Sequence, residues 1–312
     1  MTATETIHRS EECLLRPGNT NCGGCGMSVG LTMLGRALKG AGDTCTLVIP
    51  ACCGIVTAGA FPTTSYGVPT IATTFASSPA VASGVATVRD LNTEPGQVIC
   101  WAGDGGTYDI GLATLSAAAE RNENIIYICY DNEIYGNTGG QRSSATPAGA
   151  RTTTTPWGKI EGKKDIMSIM AAHRIPYAAT LSIAHPDDFA QKLSTALSIR
   201  GMRFLLLHSP CPTGWKSEPE DSVELVRLAV GSGLFPLYEV YDGATYRISL
   251  EPDGTDPAEY FRRQRRFVDE EIDMNATRRA CATQMHRLRA LAEQYPQRSV
   301  ARPAPPGHRR GS

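Results

Sequence analysis

The stretch from Gly103 to Gly140, GDGGTYDIGLATLSAAAERNENIIYICYDNEIYGNTGG, sets the terms for the rest of the 312-residue chain. It opens directly after the apolar run Gln97 to Ala102, which has the length and flanks of a buried strand. Gly103, Gly105 and Gly106 then permit a sharp turn and a close approach of backbone to ligand. Asp104 falls at the carboxyl end of the strand, where open parallel sheets place their ligands. A helix over Ile110 to Arg121 and a second buried strand over Asn124 to Tyr130 complete a strand–turn–helix–strand unit. Its crossover returns Asn132 to the sheet edge that carries Asp104. A carboxylate is a poor neighbour for an anion held at a helix start unless a cation separates them, so the pattern points to a hard divalent metal bridging Asp104 to a diphosphate. GDG alone is weak, because an ordinary strand-to-helix turn with a capping aspartate carries the same tripeptide.

The longer pattern is specific. Asn132 lies 28 residues beyond Asp104, and the continuation YDNEIYGNTGGQRSSATP follows it. Together they resemble the thiamine-diphosphate motif as it occurs in the pyruvate:ferredoxin oxidoreductase branch of that superfamily, a resemblance covering about residues 15 to 290. It implies an α/β fold with a doubly wound, mostly parallel sheet of the thiamine-diphosphate-binding PP type. It also implies that Asp104 and Asn132 are side-chain ligands of Mg2+, that Ile134 is a backbone ligand, and that Asn137 is a catalytic polar group near the reacting end of the cofactor. Cys53, Gly103, Gly105, Gly106 and Thr138 join these residues in the implied cofactor-binding set.

Ten cysteines in a chain whose start, MTATETIHRSEE, lacks the shape of a signal peptide suggest metal or cluster binding rather than disulfides. Cys22 and Cys25 form a glycine-flanked CxxC that opens a helix over Met27 to Lys39, with Val29, Leu31, Leu34 and Leu38 on one face. Free amides around such a motif suit a negatively charged iron–sulfur cluster, although a thioredoxin-type pair or half a zinc site reads the same way. Cys52 and Cys53 follow the strand Thr44 to Ile49, and Cys211 follows the strand Phe204 to His208. Four thiolates suit either zinc or a [4Fe-4S] cluster, and the spacing does not choose. The family resemblance implies a [4Fe-4S] cluster held by Cys22, Cys25, Cys53 and Cys211. Successive side chains diverge, so one of Cys52 and Cys53 is the ligand; Gly-Ile-Val after Cys53, as in the family, favours Cys53. Cys13, Cys45, Cys100, Cys129 and Cys281 read as core or surface residues.

The expected organisation is an N-terminal arm (1–18), a thiamine-diphosphate-binding domain carrying the cluster site (19–250), a C-terminal helical extension (251–298) and a disordered tail (299–312). A small-residue helix is expected from about Ala80 to Arg89, and Ala72 and Ser77 stand where the family often has histidine and asparagine. The long polar loop Gln141 to Gly158 is expected to cover the active site or to make a subunit contact. Lys159, Lys163 and Lys164 read as a solvated basic face, and His173 and His185 as structural. Further on, helices are expected over Ile166 to His173 and Pro186 to Ile199, a strand over Tyr177 to Leu181, a hairpin between Phe235 and Leu250, and one helical tract over Glu259 to Gln294.

A formal charge of −1 with 41% apolar residues argues against nucleic-acid binding and against disorder as the main theme. No apolar run reaches the roughly 18 residues of a membrane span, so a soluble cytoplasmic protein is expected. The chain has room for one doubly wound domain. In the superfamily, the glutamate that activates the cofactor's aminopyrimidine sits in a separate domain. The resemblance therefore implies an alpha subunit supplying it, together with gamma and ferredoxin-like delta subunits or domains, ferredoxin and coenzyme A. The implied reaction is the CoA-dependent oxidative decarboxylation of pyruvate to acetyl-CoA and CO2, or its reverse, with 2-oxoglutarate, branched-chain oxoacids and oxalate as sibling substrates. A non-redox thiamine-dependent carboligase or decarboxylase subunit and a zinc-stabilised scaffold are the competing readings. The dispersed cysteines weigh against the first, and Asp104 with Asn132 against the second.

Overall fold

A computed structural model describes residues 13–59, 64–268 and 272–294, so most of the expected N-terminal arm and all of the expected tail lie outside it. Within it, the apolar runs pair into one eight-stranded sheet. Strands β1 (Cys45–Pro50), β2 (Thr70–Thr73), β3 (Gln97–Gly103), β4 (Ile126–Asp131), β5 (Tyr177–Ser182) and β6 (Arg203–His208) are parallel. Strands β7 (Leu237–Tyr241) and β8 (Thr245–Leu250) form the expected hairpin, added antiparallel to β5. The order is β2–β1–β3–β4–β6–β5–β7–β8. Strands β1, β4, β5 and β6 are buried along their whole length, which explains why they read as unbroken apolar runs rather than alternations.

Helices α1 (Gly26–Ala41), α2 (Cys53–Ala58), α3 (Ser78–Asn92), α4 (Leu112–Glu120), α5 (Ile166–Ala172) and α6 (Pro186–Ser198) make the layers. Right-handed crossovers on this strand order put α3, α4 and α5 on one face and α2 and α6 on the other. Accordingly α3 packs on α4, and α1 on α6. Helix α1 buries Met27, Leu31, Leu34 and Leu38, a 4–3–4 spacing in which Met27 takes the place expected of Val29, and it stops at Gly42 in the left-handed region. The remaining helices are α7 (Pro212–Trp215), α8 (Ser222–Gly231), α9 (Pro257–Arg262) and α10 (Met274–Gln294).

Four differences from the sequence reading have local causes. The edge strand β2 is only four residues, half exposed and threonine-rich, too short to show a period. Helix α2 begins directly at Cys53, and α8 likewise stands in a stretch with no assigned element. The helix after the glycine turn begins at Leu112, because Gly105–Asp109 forms a wider π-type turn first. The single C-terminal tract divides into α9 and α10. Between them the buried Arg266 and Phe267 turn into the protein, which an exposed continuous helix could not do.

His208 ends β6, stacks on Phe235 with ring centroids 4.7 Å apart and tilts over Trp215 at 5.4 Å. Its Nε2 faces the Tyr260 hydroxyl at 3.3 Å. Burial disfavours the imidazolium and lowers the pKa to about 3. The unfolded chain therefore binds a proton that the folded chain refuses between about pH 6.5 and 3, so this group costs stability as pH falls through that window. His208→Phe, which keeps the stack, is expected to lose less stability than the wild type between pH 7 and 4, read as the urea midpoint at each pH. Parallel curves would show that His208 takes up its proton in the fold as readily as in the unfolded chain.

Candidate active site

Strand β1 is flanked by β2 on one side and β3 on the other, so the chain reverses direction between β1 and β3, and a crevice opens at their carboxyl ends. Three connections feed it: Cys52 and Cys53 after β1, Asp104 to Gly106 after β3, and Asn132 to Asn137 after β4. A Cβ added at Gly105 would lie 1.9 Å from Cε1 of Tyr135, whose hydroxyl is fixed on Asp109 at 2.7 Å, so a side chain at 105 would collide with the wall. A larger cavity of about 610 Å3 lies behind this loop, against Glu133, Lys163, His208, Tyr260 and α10, whereas Asp104, Asn132 and Ile134 line the crevice.

Three groups meet there. The Asn132 side-chain amide lies 2.7 Å from Asp104 Oδ1 and 2.8 Å from the Ile134 carbonyl oxygen. With its nitrogen inward the amide donates to both acceptors. With its oxygen inward, three oxygens face one another with no proton between them, the arrangement that a cation selects. Asp104 is 2% exposed, and its Oδ2 accepts from the Ser143 hydroxyl. Burial, and then the neighbouring Asp131, hold its carboxyl well above the usual range.

The loop bearing Asn132 and Ile134 is fixed by the residue between them. Glu133 has φ +60°, a left-handed conformation unusual for a bulky residue. Its carboxylate is buried between Lys163 Nζ at 2.9 Å and Arg266 at 2.5 Å. Although burial opposes ionisation, these two cations more than offset it and lower its pKa to about 2. Lys163 also reaches Asp131 at 2.6 Å, and Tyr108 donates to that carboxylate at 2.7 Å. Thr146 donates to the Glu133 carbonyl at 2.6 Å, so the loop 141–158, which also sends Ser143 to Asp104, braces the crevice from behind.

Apart from Cys13, which is exposed and lies outside the pocket, the cysteines sort into two kinds. Cys45, Cys52, Cys100, Cys129 and Cys281 are buried. Cys22, Cys25, Cys53 and Cys211 are at least partly exposed and line one pocket beside the crevice. Burial, and next the Cys211 thiol, push Cys53 up to about 12, with Cys52, Cys25 and Cys22 adding to the effect. A Cβ at Gly136 would lie 3.6 Å from Cys53 Sγ and 3.7 Å from Cys211 Sγ, which brings both sulfurs to the Cβ side of Gly136. Cys52 is buried beside Tyr130 and Gly54. Among the described residues no three His, Cys, Asp or Glu side chains are grouped closely enough to hold a single metal ion.

Asn137 lines the crevice, with Oδ1 3.9 Å from Cys53 Sγ. Thr138 is exposed, is not among the lining residues, and hydrogen-bonds Gln141 instead. Ala72 and Ser77 do not line it either; Phe75 does. His185 is held by Ser182 at 2.8 Å, away from the crevice. The basic face expected of Lys159, Lys163 and Lys164 is not a solvated patch: Lys159 is buried, donating to Thr146 O and Gly162 O, and Lys163 neutralises the Asp131 and Glu133 carboxylates. A charge run in sequence carries no sign of its partners, and Asp131 and Glu133 lie about 30 residues earlier. Lys163→Met would leave two buried carboxylates short of a cation and is expected to cost roughly 3–5 kcal/mol in denaturant unfolding, with Lys163→Arg losing less. Equal stability of Lys163→Met and wild type would remove the network from the account.

Comparison with known proteins accords with this arrangement. Residues 52–208 match the family described as thiamine pyrophosphate enzyme, C-terminal TPP binding domain. The ketoisovalerate oxidoreductase subunit VorB of Pyrococcus horikoshii is 43% identical over 293 residues, covering 89% of this chain and 93% of its own. The pyruvate synthase subunit PorB of Methanothermobacter marburgensis is 46% identical over 264 residues, covering 82% and 90%. The fold is shared with the 2-oxoglutarate:ferredoxin oxidoreductase from Magnetococcus marinus, at a TM-score of 0.61 and 23% identity over 80% of this chain and 89% of that one. The chain belongs to the thiamine pyrophosphate enzymes and, within them, is the beta subunit of a 2-oxoacid:ferredoxin oxidoreductase.

Proposed function

We propose that this subunit holds thiamine diphosphate through Mg2+ at Asp104, Asn132 and the Ile134 carbonyl, and a [4Fe-4S] cluster at Cys22, Cys25, Cys53 and Cys211, in a pyruvate:ferredoxin oxidoreductase. The observation that carries the reading is the convergence of three oxygen-bearing groups at 2.7–2.8 Å, one side chain away from a pocket walled by four thiols. Cys53, Tyr130 and Asn132 line both the crevice and the cysteine pocket. Both relatives named above are oxoacid enzymes, one of pyruvate and one of ketoisovalerate, so a branched-chain 2-oxoacid is the second substrate to test.

Bound thiamine diphosphate supplies a carbanion sink for decarboxylation, and the cluster supplies a one-electron acceptor beside it. The protein groups do the rest. Ser143 holds Asp104 Oδ2 and leaves Oδ1 toward Asn132; Lys163 and Arg266 keep Glu133, and with it the Asn132–Ile134 loop, in place. Asn137 presents a polar group at the boundary with Cys53. The crevice itself encloses about 20 Å3, enough for a metal and not for a whole cofactor. The remaining walls, the activating glutamate included, come from an alpha subunit, with gamma and ferredoxin-like delta subunits, ferredoxin and coenzyme A completing the cycle. Ten cysteines without a disulfide suit a reducing compartment, and we place the complex in the cytoplasm. No helix among the described residues is long and apolar enough to cross a membrane.

Anaerobically purified complex is expected to yield about four iron and four sulfide per copy of this chain, beyond those of the other subunits. It should also contain thiamine diphosphate and reduce ferredoxin in a CoA-dependent way with pyruvate. Asp104→Asn should lose the cofactor and keep the iron, and Cys211→Ser should lose the iron of this subunit. Zinc in place of iron, or thiamine with unchanged iron in Cys211→Ser, would overturn the cluster assignment. Turnover with 3-methyl-2-oxobutanoate well above pyruvate would reassign the substrate.

A further inference from the structure

We propose that Trp215 is a positioning residue that ties the Cys211 turn to the Asn132 loop, so that the two sites behave as one rigid unit and filling one tightens the other. The inference rests on the two-site reading above, and its geometry is independent of that reading. The indole Nε1 of Trp215 donates to the Asn132 carbonyl at 2.7 Å, and its backbone N–H donates to the Cys211 carbonyl at 2.7 Å. One fully buried residue therefore carries a hydrogen bond to a member of each proposed ligand set.

Both ends are clamped. The Arg266 guanidinium lies 4.2 Å over the indole ring, bonds Glu133 next to Asn132 at 2.5 Å, and sends its backbone N–H to the Trp215 carbonyl at 3.3 Å. There is little slack between the two segments. A Cβ at Gly214 would lie 2.9 Å from Ile134 Cγ2 and 3.1 Å from Cys211 Sγ. A bulky core residue does not by itself need such a bond in this protein, since the equally buried Trp101 leaves its Nε1 without a partner. At Trp215 the donor meets a carbonyl on the loop whose geometry sets the metal site, and a displaced α7 would carry Cys211 with it.

The test is a double-mutant cycle in the assembled complex, with thiamine diphosphate–Mg2+ affinity as the first readout and the rate of iron loss to a chelator as the second. Trp215→Phe keeps the ring and removes the donor. It is expected to weaken cofactor binding about tenfold and to speed iron loss, although residue 215 touches neither group. Cys211→Ser is expected to weaken cofactor binding roughly fivefold in the wild-type background and to add little in Trp215→Phe. Effects that simply multiply, or a lowered melting temperature with unchanged cofactor affinity, would show that Trp215 only fills space. Should Trp215→Phe fail to assemble, Arg266→Lys, which keeps a charge for Glu133 and gives up the planar stack, carries the same cycle. A wild-type complex lacking thiamine diphosphate or this chain's iron would instead overturn the two-site reading itself.

Discussion

A carboxylate buried between two cations holds the working end of this molecule. Glu133 stands in a left-handed conformation that a bulky side chain adopts only under constraint, and the constraint is its contact with Lys163 and Arg266. Because Glu133 is turned that way, the Asn132 side chain and the Ile134 carbonyl approach the same point opposite Asp104. The desolvation of such a pair offsets much of its attraction, so its contribution is to geometry more than to net stability. The cations come from two distant places, the loop before α5 and the segment after α9, so the Asn132–Ile134 loop has its final shape only when most of the chain is folded.

The sheet supplies the other half of the arrangement. Parallel strands deliver all their carboxyl ends to one edge, and β1, β3, β4 and β6 lead respectively into Cys53, Asp104, Asn132 and Cys211. The reversal between β1 and β3 opens the crevice, and the pairing of β4 with β6 sets Asp131 level with His208, a few residues from Cys211. The cysteine pocket and the crevice share three residues as a direct result of that strand order.

Much of this was legible before folding was considered. The strands β3 and β4, their glycine turn and Asn132 follow from apolar runs broken by glycine and by charge, and the four cysteines fall where strands or a helix begin or end. Local signals failed where the element was short or its partner remote. Strand β2 has no period to read, and the π-type turn before α4 is set by Tyr108 and Asp109 reaching Asp131 and Tyr135. In the sequence Lys163 reads as part of a solvated basic face, and Arg266 as one more charge in a helical tract.

By itself the sequence determined the parallel α/β class, the order of its main strands along the chain, and which residues could offer oxygen or sulfur to a ligand, because burial pattern and residue chemistry are local properties. Only the tertiary structure decided that Cys22 and Cys25 share a pocket with Cys53 and Cys211, that Thr138 turns aside to Gln141, and that Trp215 and Arg266 join the two sites. These are contacts between segments up to about 190 residues apart. Their existence depends on strand order and on the pairing of buried charges, neither of which leaves a periodic trace in the chain.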